Sequence, residues 1–271
     1  MTPNFTTLNL KLDNHVAHLQ LNRPDRANAM NRPMWQELGE AMNWVDNTPE
    51  ARVAVLSGNG KHFCAGIDLG MLNELIDDSI TCEARKREAL REEILWLQRQ
   101  LTAIAQCRKP VLAAIHGACV GGAVDMITAC DMRYCTTDAT FSIKEIDIGM
   151  VADVGTLQRL PRLIGDGMMR ELAYTGRNFR GEEATALGLT NQCFADKDAM
   201  MEQVLAIAQT IAGKSPLSIR GSKQVIMYSR EHSVADGLDY IATWNAGMLM
   251  SDDIKIALKA QKKAAAPVFS D

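Results

Sequence analysis

The sequence predicts an α/β fold built on a mainly parallel sheet. Three observations carry this: short apolar runs closed by glycine, amphipathic helical patterns between them, and their alternation as β, α, β, α, β. A chain of 271 residues, 47% hydrophobic and 23% charged, can bury a substantial core and has an ordinary globular composition.

The first element is "HVAHLQLN", where Ala17, Leu19 and Leu21 alternate with His18 and Gln20 as in a half-buried strand. The turn "NRPDRANAM" follows, and then a helix with Pro33 in its first turn and Met34, Leu38, Met42 and Val45 at helical spacing. "VAVLSG" (53–58) and "VLAAIHG" (111–117) are continuously apolar, as strands covered on both faces tend to be. Between them, Leu90, Ile94, Leu97, Leu101 and Ile104 repeat by four and three opposite a charged face, which predicts a long amphipathic helix lying on the sheet. "MRYCTT" and "TFSIKE" read as two more strands. From Lys197 the character changes to four helical patterns without a strand signal, so residues 1–196 are expected to form the core and 197–271 a helical region packed on that core or on a neighbouring subunit.

Composition narrows the function. The net charge of −4 supplies no general field for nucleic acid, and no nucleic-acid partner is expected. Seven cysteines without a C-x-x-C pair or metal-type spacing read as reduced, mostly buried thiols, and five scattered histidines add no ligand pattern, so no metal and no cofactor are expected. Serine is absent from any G-x-S-x-G, and "GACVGGA" fails the register of a dinucleotide fingerprint. His116, Asp125 and glycines interrupt the longest apolar stretch, which excludes a membrane span there. With no secretory, transit or S-K-L address read in the sequence, a cytoplasmic protein is expected.

Two glycine turns and three carboxylates stand out. "KHFCAGIDLG" follows one apolar strand and "GACVGGAVD" another; each can turn backbone N–H groups outward at a strand end, where ligands of open α/β sheets bind. Each turn alone is equally a tight turn and nothing more. Asp125 falls in the first turn of a short helix, Glu145 ends the "FSIKE" strand and Asp153 opens "DVGTLQRL" as a helix start. Helix-terminus electrostatics accounts for Asp125 and Asp153, and a solvated strand end for Glu145. Chemistry is the other reading, because Asp125 and Asp153 interrupt apolar surroundings and clustered carboxylates push each other's proton affinities apart.

The two-part motif "FCAGIDL" with "HGACVGGAVDMITACDMRYC" resembles the crotonase, or enoyl-CoA hydratase/isomerase, superfamily, and the resemblance runs from "LNRPDRANAM" to the last helices. It implies a ββα spiral core and an acyl-CoA thioester substrate, with the N–H groups of Ile67 and Gly122 as an oxyanion hole. Cys64, Ala65, Gly66 and Asp68 would shape the acyl-CoA turn, and Arg23 and Ala27 would help hold the CoA nucleotide. The hydratases usually carry glutamate at the positions of Asp125 and Glu145 and glycine at that of Asp153. "KEIDIGMVADVGTLQRLP" is instead similar to the dienoyl-CoA isomerases, which move a diene from 3,5 to 2,4, although they typically have glycine where Ala123 stands. The resemblance thus implies catalysis by Asp125, Glu145 and Asp153, and a homotrimer or homohexamer. A 2-enoyl-CoA hydratase and a non-catalytic acyl-CoA-binding or scaffold protein are the alternatives.

Overall fold

The computed structural model describes residues 2–72, 75, 77 and 79–271. Strands β1 (Leu8–Asp13) and β2 (Val16–Leu21) form an antiparallel hairpin. Helix α1 (Arg32–Asn47) follows; the Asn31 side chain caps it by accepting from the Met34 N–H at 3.2 Å, and Pro33 sits in its first turn, where no N–H is needed. Next come β3 (Val53–Gly58), the short α2 (Leu69–Leu72), the long α3 (Glu83–Gln106) and β4 (Val111–Ile115). The middle of the chain holds β5 (Ala118–Val120), α4 (Gly122–Thr128), β6 (Met132–Thr136) and β7 (Thr140–Ser142). After it come α5 (Thr156–Arg159), α6 (Asp166–Thr175), β8 (Phe179–Arg180), α7 (Gly181–Ala186) and β9 (Gln192–Phe194). Helices α8 (Lys197–Ala212), α9 (Pro216–Ser229), α10 (Val234–Met248) and α11 (Asp252–Lys262) complete the fold.

Two sheets organise these elements. The larger runs β1-β2-β3-β4-β6-β9, parallel after the first pair; the smaller is β5-β7-β8. The continuous apolar runs are explained by what covers them. Ala54, Leu56, Ala113 and Ile115 point to one face, against Leu38 and Ala41 of α1 and Leu101 and Ile104 of α3. Val53, Val55, Leu112 and Ala114 point to the other, against Met200, Val204 and Ala208 of α8. Each of the larger side chains among these, Val, Leu, Ile or Met, stabilises the fold by about 1.5–3 kcal/mol when fully buried. Of the repeat in α3, only Leu97, Leu101 and Ile104 are buried, while Leu90 and Ile94 are half-buried.

The four C-terminal helices lie where the periodicity puts them, and α8 is itself a layer of the sheet's packing. Helix α9 is tied to the body by Lys223, whose Nζ donates to Asp131 at 2.7 Å and to the Lys109 carbonyl at 3.0 Å. Helices α10 and α11 bury almost nothing: only Gly237 of α10 is covered, and Leu238, Leu249, Met250 and Leu258 stand exposed. Among the described residues no helix is long and apolar enough to cross a membrane.

Two sequence expectations change at the site. Glu145 does not end a strand: β7 stops at Ser142, and Glu145 begins a single turn of tighter helix, Glu145–Ile148. Asp153 does not start a helix either, since α5 begins at Thr156 and residue 153 sits in irregular backbone. Around Asp153, tertiary hydrogen bonds described below take over from local propensity.

Candidate active site

Two strand-end turns are stitched side by side. The Cys64 N–H donates to the Ala118 carbonyl (2.9 Å) and the Val120 N–H to the Cys64 carbonyl (3.1 Å), forming a parallel bridge between Cys64 and Cys119. A second bridge pairs Ile67 with Met30: the Met30 N–H donates to Gly66 (2.7 Å) and the Asp68 N–H to Met30 (3.0 Å). This ladder uses the amides on either side of Ile67 and turns its own N–H away from Met30. Gly122, first residue of α4, likewise has an N–H with no acceptor inside its helix. The two amides face a common space: a methyl group on Gly122 would lie 3.8 Å from the Ile67 nitrogen, and one on Gly66 would lie 3.4 Å from the Gly122 nitrogen. Gly66 has φ +89 and would press a side chain to 2.6 Å from the Val120 carbonyl, so the close approach requires glycine.

Buried Asn28 braces the first turn from below. It adopts φ +54, and its Nδ2 donates to the carbonyls of Asn59 (2.9 Å), His62 (2.8 Å) and Phe63 (3.1 Å). Arg23 pairs with Asp68 at 3.0 Å, which fastens the "NRPDRANA" segment to the same turn; the Ala27 carbonyl accepts from Ala65 at 3.0 Å. That ion pair holds the Asp68 carboxyl below its usual range. The Cys64 side chain turns into the core, its thiol on the Asn28 carbonyl (3.1 Å) and pushed up to about 12 by burial, so only its backbone serves the turn. Ala123 is fully buried in the main core.

The three acids gather over these turns. Asp125 is 0% exposed; its Oδ1 accepts from the Thr156 N–H at 2.5 Å, and its Oδ2 has no partner. Burial raises its carboxyl to about 6 against the opposing hydrogen bond from Thr156. Glu145 places Oε1 where a methyl on Gly121 would meet it at 3.3 Å, and its buried Oε2 is unpartnered. Burial, then the charge of Asp125, then that of Asp153, raise it to about 7. Asp153 is raised by burial. The charge of Asp153 also acts on Asp125, so the three groups share one electrostatic site. Among the described residues, however, no three His, Cys, Asp or Glu side chains gather closely enough to hold a metal ion.

Such an arrangement can polarise a carbonyl with two amides and move protons at separate points beside it. Thr156, Asn28, Gln98 and Arg159 take part without having been singled out by the sequence. Asn28 alone left a local trace, as an asparagine in a turn that needs left-handed backbone. A cavity of about 630 Å³ between α1 and α3 is lined by Gln98 and Thr102 and by none of the three acids. Free amides and buried carboxyls, rather than cavity size, locate the chemistry.

The enoyl-CoA hydratase/isomerase family model matches residues 11–271. The chain belongs to that family. Among curated members of the enoyl-CoA hydratase/isomerase family it is 50% identical to the peroxisomal Delta(3,5)-Delta(2,4)-dienoyl-CoA isomerase of Arabidopsis thaliana, over 95% of this chain and 94% of that one. It is 49% identical to the mitochondrial Delta(3,5)-Delta(2,4)-dienoyl-CoA isomerase of Mus musculus, over 91% of this chain and 76% of that one. The fold matches the crystal structure of the enoyl-CoA hydratase from Bacillus anthracis with a TM-score of 0.87 and 28% identity, covering 98% of this chain and 99% of that one. The peroxisomal and mitochondrial names of the relatives overturn the cytoplasmic expectation. Compartment addresses are short separable segments, so the body of a chain is no guide to them.

Proposed function

We propose that this enzyme isomerises 3,5-dienoyl-CoA to 2,4-dienoyl-CoA in the oxidation of unsaturated fatty acids. The observation that carries the reading is the third acid: Asp153, where a hydratase of this family needs none, acts electrostatically on both Asp125 and Glu145. Moving two conjugated double bonds requires loss of a proton from the α-carbon and gain of one four carbons along the chain. Acid and base must therefore stand apart, whereas hydration needs two carboxylates around one water.

The thioester oxygen sits between the N–H groups of Ile67 and Gly122, which take up the negative charge of the dienolate. Each such donor contributes about 2.7–4 kcal/mol to lowering the barrier. Asp153, half-exposed and raised by burial, is the stronger candidate for the ionised base that takes the α-proton. Glu145, burdened by burial and by both neighbouring charges, keeps its proton to about pH 7 and delivers it at the far carbon. Asp125 holds the Thr156 N–H and, through its charge, keeps the Glu145 proton in place. The acyl-CoA turn at 64–68, braced by Arg23 and Ala27, presents the thioester. The exposed apolar residues of α10 and α11 support a homotrimer or a pair of trimers as the working assembly.

The test is spectrophotometric. With a 3,5-dienoyl-CoA, wild type should generate conjugated 2,4-dienoyl absorbance, and Glu145→Gln and Asp153→Asn should each lose roughly 10²- to 10⁴-fold in kcat. Fast hydration of a 2-enoyl-CoA with no diene isomerisation would favour a hydratase; thioester binding without turnover would favour a scaffold.

A further inference from the structure

We propose that Gln98 on α3 is a positioning residue that aims Asp153 by holding its main-chain carbonyl from behind. The inference rests on the assignment of Asp153 as the base. A general base must keep its carboxylate lone pairs free for the substrate, so hydrogen bonds to that carboxylate cannot also fix its direction without weakening it. Among the described residues, no side chain donates to the Asp153 carboxyl, whose hydrogen bond is with its own backbone. Its aim is then set by the main chain, and here the main chain is irregular, with backbone groups that must find partners outside any helix or strand.

Those partners come from three helices. Gln98 Nε2 donates to the Asp153 carbonyl at 2.6 Å. Arg159 Nη1 donates to the next carbonyl, that of Val154, at 3.2 Å, and its Nη2 donates to Thr102 Oγ1 at 3.2 Å. Gln98 and Thr102 are four residues apart on α3 and form a half-buried stripe beside Leu97 and Leu101, which seat the helix in the core. On the other side, Asp125 receives the Thr156 N–H. The loop is thus held by Gln98 from α3, by Asp125 from α4 and by Arg159 from α5. Gly155 completes the fit: at φ +133 it lies against the Arg159 guanidinium, where any side chain would collide.

The residue type fits the task. A lysine or arginine at position 98 would also hold a carbonyl, but its charge would depress the proton affinity that burial gives Asp153. An amide donates without that penalty. Misplacing a reacting group by about 1 Å can cost roughly 10²-fold in rate.

The experiment compares wild type, Gln98→Leu, Gln98→Glu, Asp153→Asn and Gln98→Leu/Asp153→Asn with a 3,5-dienoyl-CoA. Gln98→Leu should lose about 10- to 100-fold in kcat with KM nearly unchanged. Gln98→Glu keeps the shape but not the donor; it should lose comparable activity and move the ascending limb of its kcat/KM–pH profile upward, because a carboxylate then faces Asp153. Added to Asp153→Asn, Gln98→Leu should cost nothing further, since the two act as one unit. Wild-type kcat in Gln98→Leu, an unmoved limb in Gln98→Glu, or the same fold loss with and without Asp153 would overturn the proposal. An inactive wild type, or an undiminished Asp153→Asn, would instead remove the dienoyl isomerase reading beneath it.

Discussion

Gly122→Ala separates the oxyanion hole from the rest of the site. The backbone of Gly122 is compatible with alanine, and the added methyl meets only the mobile end of Met30 at 3.0 Å and the Trp35 ring at 3.7 Å, so the fold should absorb it. The same methyl would point into the space between the two amides, 3.8 Å from the Ile67 nitrogen. A thioester oxygen needs to come to about 2.9 Å from each nitrogen, and it would be displaced from at least one. Losing one donor should cost about 2.7–4 kcal/mol, or 10²- to 10³-fold in kcat. Diene formation followed by absorbance, with the melting temperature measured in parallel, gives both numbers. A folded Gly122→Ala protein with wild-type kcat would refute the claim that these amides stabilise the dienolate.

Three further outcomes are expected. The kcat/KM–pH profile should rise as Asp153 ionises and fall near pH 7 as Glu145 loses its proton; a profile still rising above pH 8 would remove Glu145 as the essential acid. The Asp125 carboxyl is raised to about 6, so the stability it confers is present below its unfolded value and lost as pH climbs through 6. Relative to Asp125→Asn, the wild type should lose up to about 3 kcal/mol between pH 4 and 7.5 in urea titrations; a constant difference would contradict the burial argument. Gly155→Ala should lower stability by roughly 1–3 kcal/mol, because it forces a side chain into φ +133 and onto Arg159. An unchanged melting temperature would show that the loop is not clamped there.

Local pattern exposes the parts of this fold that local pattern builds. β3 and β4 are legible because both faces are covered, which makes every residue apolar. Helix α1 is legible from Pro33 and its repeat. Strand β1 alternates Leu8, Leu10 and Leu12, a pattern readable in the sequence; β5, β8 and β9 are two or three residues long and exist because neighbours pair with them. The acids themselves were conspicuous as charges in apolar surroundings, but the backbone that carries Glu145 and Asp153 was assigned to a strand end and a helix start. Around Asp153 that backbone is held by Gln98 and Asp125, both distant in sequence from it, together with nearby Arg159. No window of neighbouring residues contains that information.

The bridges from Met30 to Ile67 and from Cys64 to Cys119 join three remote stretches of chain beside the two amides proposed to hold the thioester. Closing such large loops is entropically slow, and neither bridge can form until the segments around it have condensed. Turnover should therefore be among the last properties regained on refolding, lagging recovery of helicity. A half-assembled chain would be unable to enolise its substrate.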